Sequence, residues 1–171
     1  MNLTIPEPSL VVLIGPSGAG KSTFAAKHFL PTEVISSDFC RALVSDDENN
    51  MAATAAAFRV LHSIAGERLQ SRRLTVIDAT SVDPESRKPL VALARKHGCV
   101  PVAIVFDLPV EVSVERNRGR GGRNVDGRVV RRQNGLLRRS MDGLEDEGFH
   151  DVYRLDSSAA VEAATVVRRP L

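Results

Sequence analysis

Gly15-Pro16-Ser17-Gly18-Ala19-Gly20-Lys21-Ser22 is the stretch of this chain best equipped for chemistry. Its spacing, G-x-x-x-x-G-K-S, is that of a P-loop. Backbone N–H groups of such a loop cradle phosphates, the lysine reaches the β- and γ-phosphates, and the serine hydroxyl ligates Mg²⁺. Upstream, Leu10-Val11-Val12-Leu13-Ile14 reads as a buried parallel strand. Downstream, Thr23 to Phe29 reads as a helix whose positive N-terminal end faces the anion. Gly15 through Thr23 are therefore the candidate nucleotide-binding residues, with ATP and Mg²⁺ as their expected cofactors and Ser22 as the metal ligand.

A second constellation follows the run Glu33-Val34-Ile35-Ser36-Ser37. Asp38 opens a helix and Arg41 stands three residues on, so both belong to one helical face. A carboxylate that takes a proton, beside a guanidinium that forks onto a phosphate, makes a compact site for an acceptor hydroxyl. The plainer alternative is that Asp38 caps its helix and Arg41 pairs with it. Arginine recurs further along: nine lie between Arg116 and Arg139, against one acid, Asp126. The glycines within Arg116-Asn117-Arg118-Gly119-Arg120-Gly121-Gly122-Arg123 suit a lid that closes on something anionic.

These residues need a frame to hold them together. Strand-like runs at 10–14, 33–37, 74–78, 100–106 and 151–155 alternate with helical patterns at 23–29, 38–43, 51–72 and 83–98, around the arginine-rich segment and near the C-terminus. Such alternation predicts an α/β fold, a P-loop NTPase-type parallel sheet of about five strands with helices on both faces and ligands beyond the carboxyl ends of the strands. The 171 residues suffice for one domain spanning 1–171, and an apolar share of 43% with 26% charged residues is ordinary for a globular protein. The closing Arg168-Arg169-Pro170-Leu171 reads as the start of a linker, which fits an N-terminal module of a longer protein.

Composition also excludes classes. With no Trp and one Tyr, a stacking platform for single strands is not expected. No apolar run is long enough for a bilayer, and Met1 to Pro6 lacks signal-peptide character, so no membrane association is expected. Cys40 and Cys99 have neither disulfide nor metal spacing, which points to packing and a reducing cytoplasm. His62 reads as structural, His28 and His150 have no ligand partners at metal spacing, and Asp46 to Glu48 and Glu145 to Glu147 read as solvated surface. There is no Asn-Lys-x-Asp base-reading motif, no ABC-type signature, and Asp78 is followed by Ala79-Thr80 rather than the water-activating Glu of motor and AAA-type ATPases. A small phosphotransferase remains, one that brings an acceptor to the γ-phosphate and keeps water out.

The P-loop, the stretch Ser36-Ser37-Asp38-Phe39-Cys40-Arg41, the strand end Val76-Ile77-Asp78-Ala79-Thr80 and the Arg116 to Arg123 segment together resemble the polynucleotide 5′-kinase family. The likeness is to the N-terminal kinase domain of the bacterial kinase-phosphatases that heal RNA ends, and it runs from Ile5-Pro6-Glu7 to the last strand. It implies that Lys21 contacts the transferring phosphates, Ser22 coordinates Mg²⁺, Asp38 is the general base for a 5′-OH polynucleotide end, and Arg41 grips the phosphate on the 3′ side of the terminal nucleoside. It further implies that Arg116 and Arg123 come from the lid to neutralise the ATP phosphates. It leaves Arg118 and Arg120 unassigned, and leaves Asp78 either holding Mg²⁺ through water or orienting Thr80 and the P-loop. Family members join this kinase to phosphatase and ligase-like domains and act with an RNA methyltransferase. The alternative is a small-molecule kinase acting on a sugar, nucleoside or antibiotic.

Overall fold

The computed structural model describes residues 1–122 and 125–171. Arg123, one of the expected lid arginines, lies outside the described residues, as does Asn124. Strand β2 (Ser9–Ile14) is buried at all six positions and runs parallel between β4 (Thr75–Asp78) and β5 (Val100–Phe106). With β3 (Val34–Ser36) and β6 (Asp151–Leu155) outside these, the five-stranded parallel sheet has the order β3-β4-β2-β5-β6. Because alternate side chains leave opposite faces of a strand, the unbroken apolar run of β2 feeds two cores. Leu10, Val12 and Ile14 join Ile77, Ala103 and Val105 under helices α3 (Thr54–Gln70) and α4 (Pro84–Lys96). Val11 and Leu13 join Val76, Val102, Ile104 and Phe106 on the other face, against Phe24 and Ala25 of α1 (Lys21–His28). Each such aliphatic side chain contributes about 1.5–3 kcal/mol on full burial. The central strand is thus the anchor of the sheet, and the loop that leaves it is fixed from both faces. The α/β reading, with its five-stranded parallel sheet, holds.

Helix starts follow local chemistry. The Ser36 hydroxyl accepts from the Phe39 N–H at 3.2 Å and caps α2 (Ser37–Ser45). Asp83 accepts from the Glu85 N–H ahead of Pro84 at the head of α4. Asp126 accepts from the Arg128 N–H at 2.8 Å and starts α6 (Gly127–Ser140), which follows α5 (Val110–Arg118) across the arginine-rich segment. Ser157 caps α7 (Ser158–Ala163) in the same way.

Two expectations from the sequence are corrected. Thr165–Pro170, whose end reads as a linker, is strand β7, and it pairs in parallel with β1 (Asn2–Glu7) in a small second sheet. Arg168 clamps it to the body through Glu33 at 2.8 and 2.6 Å and reaches Glu7 at 3.2 Å. Glu147 is not free surface. It meets the fully buried Arg87 through two hydrogen bonds, 2.7 Å from Nε and 2.5 Å from Nη2, tying α4 to the 3₁₀ turn at Met141–Glu147. Cys40 and Cys99 are buried and free, and burial pushes both thiols up, in keeping with a packing role. Burial likewise holds the His62 imidazole below its usual range. Among the described residues no helix is long and apolar enough to cross a membrane.

Candidate active site

The loop between β2 and α1 is tied at its start to a neighbouring strand and turned by two glycines. Its first N–H, from Gly15, donates to the Thr80 carbonyl at 2.9 Å, which ties it to the end of β4. Gly18 and Gly20 sit at φ +82° and +93°, backbone shapes that favour glycine. A β-carbon on Gly18 would run into the Ser113 carbonyl of α5, and one on Gly20 would lie 3.2 Å from Arg116 Nη1. Gly20 ends this turn as the N-cap of α1, whose first-turn N–H groups have no acceptor within the helix. A phosphate fits that cradle. Lys21 is buried and donates to the Pro16 carbonyl at 2.8 Å, so its ammonium spans the loop.

Ser22 links the loop to the end of β4. Its hydroxyl donates to Asp78 Oδ2 at 2.7 Å. Asp78 thus touches the P-loop directly, while Thr80 is tied to the loop through its own backbone carbonyl, and the carboxylate stands beside the serine expected to hold Mg²⁺. A hydroxyl and a carboxylate oxygen this close are hard donors of the kind Mg²⁺ takes, and Mg²⁺ draws its other ligands from phosphates and water. No cluster of three or more His, Cys, Asp or Glu suited to a metal occurs among the described residues, so a cation here depends on such outside oxygens.

Asp38 and Arg41 come together on α2 as the spacing predicts. Arg41 Nη1 donates to Asp38 Oδ1 at 2.6 Å, Nε donates to Thr54 Oγ1 at 3.3 Å, and Nη1 reaches the Glu48 carbonyl at 3.4 Å. Ser36, not Asp38, caps the helix, so half of the plainer alternative falls away while the Asp38–Arg41 pair is present. Arg41 is buried and the Asp38 side chain is 30% exposed, so the pair presents its carboxylate to a pocket of about 230 Å³. Lys21, Ser22 and Asp78 line the same pocket. A second pocket of about 270 Å³ lies over the P-loop glycines and is walled by Arg116. Lys21, Ser22 and Arg120 belong to both. Two ligands can therefore meet at the lysine and serine, one resting on the loop and one on the carboxylate.

The arginines of the arginine-rich segment stand in different places. Arg116 crosses Gly20 and donates to Ser158 Oγ at 3.1 Å. Arg120 stands where the two pockets join, whereas Arg118 lines neither. Asn117 is buried and exchanges hydrogen bonds with the Val125 backbone in both directions, which straps the segment at its base. Other contributors escape a reading of sequence. Gln133 on α6 accepts from the Ser17 N–H at 2.9 Å and lines the pocket of Asp38. A groove of about 290 Å³ continues from Gly20, Thr23 and Arg116 to Phe24, Val161 and Glu162 between α1 and α7. Nothing local in the sequence marks Gln133 or α7 as part of a site.

No curated protein matches the chain in sequence. Among solved structures it is similar to a chain of the Pnkp1/Rnl/Hen1 RNA repair complex, with TM-score 0.69 and 25% identity over 80% of this chain and 46% of that one. The chain thus spans less than half the length of that relative. It is also similar in fold to a sugar kinase from Janibacter sp. HTCC2649, with TM-score 0.59 and 21% identity over 87% of this chain and 85% of that one. A third fold likeness is to the AvrRxo1-ORF1:-ORF2 complex with ATP, with TM-score 0.63 and 16% identity over 82% of this chain and 50% of that one. The chain is a P-loop kinase-like domain, and since the model of the family AAA_33, described as an AAA domain, matches residues 10–144, it belongs to that family.

Proposed function

We propose that this domain is an ATP- and Mg²⁺-dependent polynucleotide 5′-hydroxyl kinase. The observation that carries the reading is the Asp38–Arg41 pair, 2.6 Å apart, in a pocket that shares Lys21 and Ser22 with the P-loop. A carboxylate alone would serve any alcohol. A buried guanidinium held beside it by Thr54 and Glu48 suits an acceptor that carries a phosphate next to its hydroxyl. The likeness to a chain of an RNA repair complex supports the same acceptor. Within a family described as an AAA domain, this chain has Ala79 and Thr80, rather than a water-activating acid, after Asp78, which favours transfer to an acceptor over transfer to water.

In this mechanism Asp38 takes the proton of the 5′-OH as that oxygen forms its bond to the γ-phosphorus. The bond from the γ-phosphorus to the bridging oxygen breaks in line, and ADP leaves with the electron pair. Arg41 holds the phosphate on the 3′ side of the terminal nucleoside and so aims the hydroxyl. Lys21 and the first-turn N–H groups of α1 hold the donor phosphates, with Arg116 and Arg120 over them and Arg123 assigned with them by resemblance. Mg²⁺ on Ser22, when bound, neutralises charge on the β- and γ-phosphates. The groove between α1 and α7 receives the donor nucleoside. By the same reading the domain works alongside phosphatase and ligase-like units and an RNA methyltransferase.

The test uses acceptors that differ only in one phosphate. Arg41→Ala should weaken transfer to a nucleoside 3′-phosphate far more than to the same nucleoside without it, and Arg41→Lys should rescue only in part because it lacks the planar fork. Equal loss on both acceptors would assign Arg41 to the donor or the fold and favour a small-molecule kinase.

A further inference from the structure

Five arginines of α6, at 128, 131, 132, 138 and 139, are exposed, and their offsets of 3, 4 and 7 residues place them on a single helical face. The opposite face is locked into the protein by Val130, Asn134 and Leu137, all buried, so the arginine face points outward. Acids do little to neutralise it. Arg128 meets Asp126 at 3.4 Å and Arg131 meets Glu111 at 3.6 Å, both in solvent, while Arg132, Arg138 and Arg139 have no ion pair among the described residues.

Helix stability does not explain this pattern. Cations near a helix C-terminus are favourable, which accounts for Arg138 and Arg139. Arg128 and Arg131 lie toward the N-terminal end, where a cation is unfavourable, and the pairs 128/131 and 128/132 set like charges one turn apart. An external polyanion resolves that repulsion. Gln133, on the flank of the same helix, lines the pocket of Asp38, so the stripe runs along a helix that borders the proposed acceptor site.

We propose that the outer face of α6 is a track for the phosphodiester backbone of the acceptor strand, beyond its terminal nucleotide. This rests on the polynucleotide kinase reading above and extends it from the terminal nucleotide to the strand. From Arg128 to Arg139 the helix advances about 16 Å at 1.5 Å per residue. A stacked strand covers that length in about five nucleotides at 3.4 Å each. The contacts are to phosphate, so the track is indifferent to base sequence and sensitive to salt.

The experiment compares the wild-type chain with two triple variants, Arg131→Gln/Arg132→Gln/Arg138→Gln and the same positions changed to Lys. Fluorescence anisotropy with a labelled, 5′-phosphorylated decanucleotide reads binding without requiring transfer. Kinase assays on a nucleoside 3′-phosphate and on 5′-OH oligonucleotides of two to ten nucleotides read catalysis. The expected result is tighter binding by wild type, with a log–log salt slope for the Gln variant shallower by about 2. The wild-type KM should fall with acceptor length up to about six nucleotides, that gain should vanish in the Gln variant, and transfer to the nucleoside 3′-phosphate should be unchanged. The Lys variant, which keeps the charge, should retain the length dependence. Equal decanucleotide affinity of wild type and Gln variant overturns the track, as would be expected if the stripe serves an acidic protein instead. A length-independent wild-type KM overturns it too and leaves the kinase reading standing. Absence of transfer to every 5′-OH acceptor, with the anisotropy difference intact, overturns the kinase reading and keeps the track.

Discussion

Asp38 is the residue on which the proposed chemistry turns, and the structure separates its possible duties. Ser36 supplies the helix cap, so a change at position 38 leaves the start of α2 intact. Asp38→Asn keeps the shape and a hydrogen-bond acceptor for Arg41 but cannot take the acceptor proton. Transfer should drop on the order of 10²–10⁴-fold while ATP binding holds, measured by turnover and equilibrium nucleotide binding on the same preparation. Near-normal turnover of the Asn variant would remove Asp38 from proton transfer. The P-loop and the Asp38–Arg41 pair were legible because each is a local pattern whose spacing on a turn or a helix fixes its geometry. Gln133 and Ser158 were not, since they reach the site from 116 and 42 residues away and nothing at those distances is encoded by periodicity. Glu147 was misread for the same reason: its acidic neighbours look like surface, and the partner that buries it, Arg87, is 60 residues off.

At the scale of elements, the P-loop and α5 are fitted to one another through a missing side chain. Gly18, at φ +82°, lies against the Ser113 carbonyl of α5, and α5 carries Arg116 over Gly20. Gly18→Ala should strain the loop and push α5 away, costing about 1–3 kcal/mol. For a chain of this size each kcal/mol shifts Tm by about 2–4 °C, so melting by circular dichroism should fall by several degrees and nucleotide affinity with it. Gly121→Ala is the control. Its added methyl would meet nothing within 4 Å, and Tm should move by no more than about 1 °C. An unchanged Gly18→Ala protein would show that α5 does not set the loop. Sequence marks the loop, the helix that follows it and the arginine-rich stretch, but the contact between Gly18 and α5 depends on how β5 delivers α5 across the sheet.

For the molecule as a whole, the alternation of apolar runs and helical patterns was enough to predict the five-stranded parallel sheet with helices on both faces. The second sheet was hidden because β7 is mostly exposed and rich in arginine and proline, a composition that reads as a tail. Its attachment is electrostatic as well as hydrogen-bonded. Burial alone would raise the Glu33 carboxyl, but the Arg168 guanidinium and the Leu30 N–H outweigh it and hold the carboxyl below its ordinary 4.5. A depressed carboxylate contributes stability that is present above its unfolded value and is lost as pH falls through the lower folded one. Urea midpoints should therefore decline below about pH 4.5, and Arg168→Ala should lower the neutral-pH stability by about 1–2 kcal/mol while flattening that acid limb. A full acid limb in Arg168→Ala would place the titration elsewhere. The central claim is phosphoryl transfer to a polynucleotide 5′-OH, and one measurement addresses it most directly. ATP labelled in its γ-phosphate is incubated with the chain, Mg²⁺ and a panel of acceptors: a 5′-OH oligonucleotide, a nucleoside and several sugars. The label should pass to the oligonucleotide 5′ end and not to the sugars, and Lys21→Ala should abolish the transfer while remaining folded. Label appearing on a sugar, with none on the oligonucleotide, would contradict the account.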